Sequence, residues 1–172
     1  KNQQPFNNAK AALQGLNADV RLGDGLHPLT LNEATSLSVT GMGAGTIVQI
    51  LQAQPERLPK KLTLQPNDNA IAIRIWAKEA GFYLKGEVMV QGFWRYSVLH
   101  FERSQGADPS YDNLPLEIAL TYGPHLLREK HPLLIKELEY QRPYLQSLGK
   151  HAAKQLETLE QALDYLCAAR SD

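Results

Sequence analysis

Three short β-rich runs, each closed by a loop of glycine, aspartate or asparagine, restrict the fold of this 172-residue chain more than any other feature. Residues 18–22 carry the β-branched Val20 and stop at Gly23-Asp24-Gly25. Residues 36–40 run into Gly41-Met42-Gly43-Ala44-Gly45, and residues 62–65 into Pro66-Asn67-Asp68-Asn69. Helical periodicity follows: Ile47, Ile50 and Leu51 share one face, then Ile71, Ile75, Ala77 and Ala80, with Asp68 or Asn69 as cap and Gly81 as stop. Residues 82–90 and 93–102 are again β-rich and are separated only by Gln91-Gly92, the length of a hairpin turn. Strand–turn–helix units followed by a hairpin predict an α/β sheet, mostly parallel, with an antiparallel strand pair at its edge.

The flanks read differently. Pro5, Ala9, Ala12, Leu13 and Leu16 suit an opening helix that weakens at Gly15. Residues 104–113 form a polar linker, so the chain divides into an α/β part, 1–113, and a helical part, 114–172. In the second part Pro132 starts or kinks one helix and Pro143 interrupts another. Ala152, Leu156, Leu159, Leu163 and Leu166 recur at alternating spacings of four and three, a coiled-coil seam, and Gly149 is a place for the chain to reverse. An antiparallel helical hairpin packed on the sheet, or projecting from it, is expected.

Composition excludes more than it selects. Lys and Arg total 18 against 18 Asp and Glu, so no global field draws the chain to nucleic acid, and RNA contact must rest on local clusters. The lone Cys167 forbids an internal disulfide and suits a reducing, cytoplasmic setting; among Leu163, Leu166 and Ala168 it reads as a buried apolar thiol. No membrane span or signal-peptide pattern is present. The five histidines show no metal-ligand spacing, and neither a nucleophile elbow nor a Walker-type lysine loop occurs, so no metal is expected. The start, Lys1-Asn2-Gln3-Gln4-Pro5, reads as a chain entered partway through.

In open α/β sheets ligands bind beyond the carboxyl ends of the strands, where these three loops would converge. Glycines there admit a ligand close to the backbone, and Asp and Asn offer acceptors and donors. Each loop also has a plain structural reading as a tight turn, a strand-to-helix turn or a stop before a cap. Gly41-x-Gly43 approaches a dinucleotide fingerprint, but Thr46 stands at its third glycine, and Gln65 ends the strand where a ribose-binding acid belongs. A nicotinamide-dependent enzyme is thereby the weaker alternative, beside a non-catalytic interaction module.

Arg21-Leu22-Gly23-Asp24-Gly25-Leu26, Gly41-Met42-Gly43, Leu64-Gln65-Pro66-Asn67, Tyr122-Gly123-Pro124 and Glu129-Lys130-His131-Pro132-Leu133 together resemble the TrmK family, over residues 5–148. Its members are bacterial tRNA (adenine-N1)-methyltransferases acting on adenine 22. Two departures stand out: Ala44 replaces a usual glycine, and Phe93-Trp94-Arg95-Tyr96 is more aromatic than the family pattern. The resemblance implies a class I methyltransferase (Rossmann-like) sheet, here incomplete, followed by a helical coiled-coil domain that contacts tRNA. S-adenosylmethionine would be the cofactor, with Gly23, Asp24 and Gly25 at its adenine and Gly41, Met42 and Gly43 beside its methyl group. Gln65 and Asn67, with Met42, would form the target-base pocket. Arg128, Lys130 and Arg142 would contact the RNA. The family's glycine-bearing first loop and the acid ending its second strand would fall before Lys1, so this chain alone is expected to be inactive. The sheet would then have an open edge beside residues 36–40.

Overall fold

The computed structural model describes residues 3–168. Helix α1 (Gln3–Ala12) opens the chain and buries none of its side chains. Four strands make one sheet: β1 (Ser36–Met42), β2 (Lys61–Pro66), β3 (Phe82–Gln91) and β4 (Arg95–Arg103), in the spatial order β1-β2-β4-β3. Helix α2 (Ala44–Ala53) joins β1 to β2, and α3 (Ile71–Glu79) joins β2 to β3. The helical part holds α4 (Leu116–Tyr122), α5 (Pro124–Arg128), α6 (Pro132–Ser147) and α7 (Ala153–Ala168).

The sheet is mixed rather than mostly parallel. β1 pairs with β2 in parallel, whereas β4 returns between β2 and β3 and pairs antiparallel with both. Residues 18–22 form no strand, which corrects the expected first unit. A strand exists only through its ladder, and among the described residues β1 has β2 as its sole neighbour. The chain at 18–33 is instead held by local bonds. Arg21 donates to Asp19, Glu33 and the Pro28 carbonyl, and this pairing holds the Glu33 carboxyl down to about 2.

Period-two alternation places Leu62 and Leu64 of β2 on one face with Leu99 and Phe101 of β4 and Phe82 and Leu84 of β3. Ile47 and Leu51 of α2, and Ile73, Trp76 and Ala77 of α3, close that core. Each fully buried side chain of this size contributes about 1.5–3 kcal/mol of burial. The inward face of α3 differs from its sequence reading: Ile75 is exposed, and Arg74 lies inside the protein with Ile73 and Trp76.

A second core joins Tyr111, Ile118, Leu126, Leu127, Leu134 and Leu138 to Leu159, Ala162, Leu163 and Leu166 of α7. α7 therefore packs within a helical layer, against α4, α5 and α6, and that layer rests on β3 and α3. Cys167 is exposed, contrary to expectation. The buried stripe runs Leu159, Ala162, Leu163, Leu166, and residue 167 falls about 100° around the helix from it. Pro132 occupies the first turn of α6 as expected, but Pro143 lies inside α6, which continues to Ser147. Gly149 marks the reversal, with φ +55.

Burial pushes the Tyr122 hydroxyl up to about 12 and raises Tyr111 further. The folded state thus holds both phenolic protons more tightly than the unfolded chain. Their contribution is complete below the ordinary value of 10.0 and is lost as pH rises towards 12. Urea midpoints measured from pH 8 to 12 should fall above pH 10, and Tyr122→Phe should flatten part of that fall.

Candidate active site

The loops that end β1 and β2 are joined to each other by side chains. Gly41, at φ +77, makes a bulge at the end of β1, and its amide donates to Gln65 Oε1 at 3.0 Å. The Asn67 amide donates to the Met42 carbonyl at 2.8 Å. The Gln65 amide nitrogen donates to the Pro66 carbonyl at 2.6 Å and lies 3.4 Å from Asn67 Oδ1. Met42, Gln65 and Asn67 thus share one tip with Gly41 and Gly43. A Cβ placed on Gly41 would meet nothing within 4 Å, so a ligand can approach that backbone.

Asp68 completes the tip. Its Oδ1 accepts from the Ala44 amide at 2.7 Å, at the N-terminus of α2, where a carboxylate is favoured by the helix dipole. Sequence reading offered Asp68 only as a local cap for α3. Asn69 takes that local role instead, accepting from Ile71 N at 3.3 Å. Nothing in the linear pattern connects residue 68 to residue 44, so the cross-loop cap was not legible.

The Gly23-Asp24-Gly25 loop is anchored elsewhere on α2. Gly25, at φ +54, faces Ile50, and Gln54 at the end of α2 bonds the His27 ring at 2.6 Å. Ile50 lies roughly 9 Å along the helix axis from Ala44. Gly23 is required by packing, because a Cβ there would overlap the Pro28 ring. Arg57 fixes the loop by donating to the carbonyls of Leu26, His27 and Leu29. These contacts span some thirty residues of sequence and leave no local signal.

A cleft of about 890 Å³ opens beside the joined tip, between the sheet and the helical layer. Its lining includes Asn67, Asp68 and Asn69 after β2, Arg95 and Ser97 of the hairpin, and Lys150 and His151 of the α6–α7 connection. The cations proposed for RNA are placed variously. Arg128 donates to the carbonyls of Ser110 and Asp112, and Arg142 pairs with Glu160 at 3.0 Å. Lys130 sits at φ +47 between α5 and α6.

A buried ion pair underlies the cleft. Arg74 Nη2 donates to Glu87 Oε1 at 2.6 Å, with both side chains almost fully enclosed. Arg74 Nη1 donates to the Leu120 and Thr121 carbonyls at 2.7 and 3.0 Å, capping the C-terminus of α4. Gly123 presses against Glu87 from above, at φ +99. Sheet, α3 and helical layer therefore meet at one charged junction.

Known proteins resemble this chain in sequence and fold. The family described as tRNA (adenine(22)-N(1))-methyltransferase, TrmK, matches residues 2–168. A Bacillus subtilis (strain 168) protein named tRNA (adenine(22)-N(1))-methyltransferase is 33% identical over 161 residues, covering 90% of this chain and 67% of the relative. The crystal structure of the B. subtilis M1A22 tRNA methyltransferase TrmK superposes with a TM-score of 0.81 at 30% identity, over 96% of this chain and 77% of that one. A Streptococcus pneumoniae protein crystallised in complex with S-adenosyl-L-methionine shares the fold, with a TM-score of 0.82 at 22% identity, over 96% of this chain and 78% of that one. On the family match and the B. subtilis relative, this chain belongs to the TrmK family of tRNA (adenine(22)-N(1))-methyltransferases.

Proposed function

We propose that this chain supplies the acceptor side of an S-adenosylmethionine-dependent methyl transfer to N1 of an adenine in tRNA, position 22 by family membership. The observation that carries it is the joined tip: two strand-end loops, locked together through Gln65, Asn67 and Asp68, stand at the end of a cleft large enough for a nucleotide. Bound S-adenosylmethionine supplies an electrophilic methyl group on a sulfonium. Adenine N1 would attack that methyl with its own lone pair as the methyl–sulfur bond breaks and S-adenosylhomocysteine leaves, so no residue has to remove a proton first. Positioning and electrostatics therefore carry the acceleration.

Each residue of the tip has a part in this reading. Gly41 admits the donor close to the backbone, Gly43 leaves room for the Asp68 carboxylate, and Met42 would stand beside the transferring methyl. Asn67 offers a donor and an acceptor to the base edge at the end of the cleft. The Asp68 carboxylate places negative charge near a base that turns cationic as the new N–C bond forms. An adenine from the folded tRNA enters by eversion, which the cleft accommodates.

Asp24 and Gly25 are the proposed contact for the cofactor's adenine. Family membership alone supports this, since Gly25 packs against Ile50 and the following His27 is held by Gln54 and Arg57, so the structure does not bring this loop to the joined tip as the sequence led one to expect. Among the described residues β1 is an edge strand, so its outer edge is free to pair. In this account residues 1–113 form the methyltransferase part and residues 114–172 the tRNA-contacting helical part, in a cytoplasmic protein. Among the described residues no helix is long and apolar enough to cross a membrane. Lys150 and His151, which line the cleft, would contact the RNA backbone together with Arg128, Lys130 and Arg142.

Asn67→Ala is expected to lower methyl transfer roughly a hundredfold, the scale set by misplaced reactants, with an unchanged melting temperature. Steady-state kinetics on tRNA measures this. Full activity in that variant would remove Asn67 from the pocket.

A further inference from the structure

We propose that Phe93 and Trp94, at the tip of the β3–β4 hairpin, form a stacking platform for an unpaired tRNA nucleobase next to the target adenine. This rests on the tRNA-methyltransferase reading above. Phe93 is 88% and Trp94 67% exposed, the two most solvent-exposed aromatic rings of the sheet. Their centroids lie 5.2 Å apart with planes at 88°, so the edge of one ring meets the face of the other and ring surface stays open to solvent.

The tip is held in place. Gly92 N donates to the Trp94 carbonyl at 2.8 Å, and Gln91 Nε2 to the Gly92 carbonyl at 3.0 Å. Gly92 also lies under the Tyr96 ring, which a Cβ would approach to 3.2 Å. Arg95, paired with Gln91 in the last rung before the turn, forms an ion pair with Glu137 that ties the hairpin to α6. Arg95 and Ser97 line the cleft, and the turn that carries the two rings immediately precedes them in the chain. Lys150 and His151 line the same cleft.

A nucleobase fits this arrangement better than a protein partner. Aromatic side chains stack single unpaired bases, and flanking cations take up the adjoining phosphates. Two rings offer far less than the roughly 800 Å² per partner of a stable protein interface.

The test is tRNA affinity by fluorescence anisotropy for the wild-type chain, a Phe93→Ser/Trp94→Ser variant and a Phe93→Tyr/Trp94→Phe variant. The serine variant should raise Kd about tenfold or more, the stacking value for one base, with an unchanged salt slope because no charge is altered. The aromatic variant should stay within about twofold of wild type. Binding should also quench Trp94 emission, with the buried Trp76 as a constant background. If the wild type binds tRNA and the serine variant binds equally well, the platform is wrong while the tRNA reading stands. If the wild type binds no tRNA, the reading itself fails and the platform with it. A wild-type dimer in sedimentation that the serine variant dissolves, at unchanged tRNA affinity, would make the tip a self-interface and overturn the proposal.

Discussion

Arg74→Met is expected to destabilise the protein by about 3–5 kcal/mol, the range for breaking a buried pair from one side. For a chain of this length that lowers the melting temperature by roughly 6–20 °C. The side chain holds three partners at once: Glu87 Oε1 and the carbonyls of Leu120 and Thr121. Removing it leaves a carboxylate enclosed in the core, whose Oε2 has no hydrogen-bond partner even in the intact protein. The two carbonyls at the end of α4 lose their cap as well. Adding Glu87→Met to the variant removes the stranded charge and should recover most of the loss. The remainder measures the α4 cap, about 1–3 kcal/mol. Urea unfolding of the two singles and the double gives the coupling. A single Arg74→Met variant within 1 kcal/mol of wild type would show that water reaches this junction.

Gly123→Ala should be nearly as damaging, for a different reason. The position sits at φ +99, outside the range of ordinary L residues, and an added Cβ would overlap the Glu87 carboxylate. Backbone strain costs about 1–3 kcal/mol and overpacking a further 1–3. Gly149→Ala separates the two effects. Gly149 also has positive φ, at +55, but a Cβ there meets nothing within 4 Å. Only the strain should register, about 1 kcal/mol. Equal losses at Gly123 and Gly149 would mean that Glu87 moves aside and the junction is loose.

Both effects arise where linear pattern says least. Tyr122-Gly123-Pro124 stood out only as part of the family resemblance, without the reason glycine is required there, since Glu87 lies on a strand more than thirty residues earlier. Arg74 sits in an amphipathic helix among apolar residues, and local periodicity assigned the inward face to Ile75 instead. The strands at 36–42, 61–66, 82–91 and 95–103 were readable because β-branched runs and their stops are local properties. Residues 18–22 have the same local character without becoming a strand, because strand formation depends on a neighbour that local composition does not supply. The glycine and Pro-Asn loops were legible as the ends of β1 and β2, which the structure brings to one tip. What stayed hidden was the set of contacts across the tip: Asp68 to Ala44, Gln65 to Gly41, and Arg57 to the carbonyls of residues 26–29. Arg128 and Arg142 each hold a protein group, contacts that charge counting does not show.

Labelled methyl transfer from S-adenosylmethionine to tRNA, by the protein as its gene encodes it and with the modified nucleoside mapped, tests the central claim most directly. The account predicts N1-methyladenine at a single tRNA position, formed by the wild type and reduced roughly a hundredfold by Asn67→Ala. No methylation of tRNA, or methylation of another atom or base that Asn67→Ala leaves untouched, would contradict it.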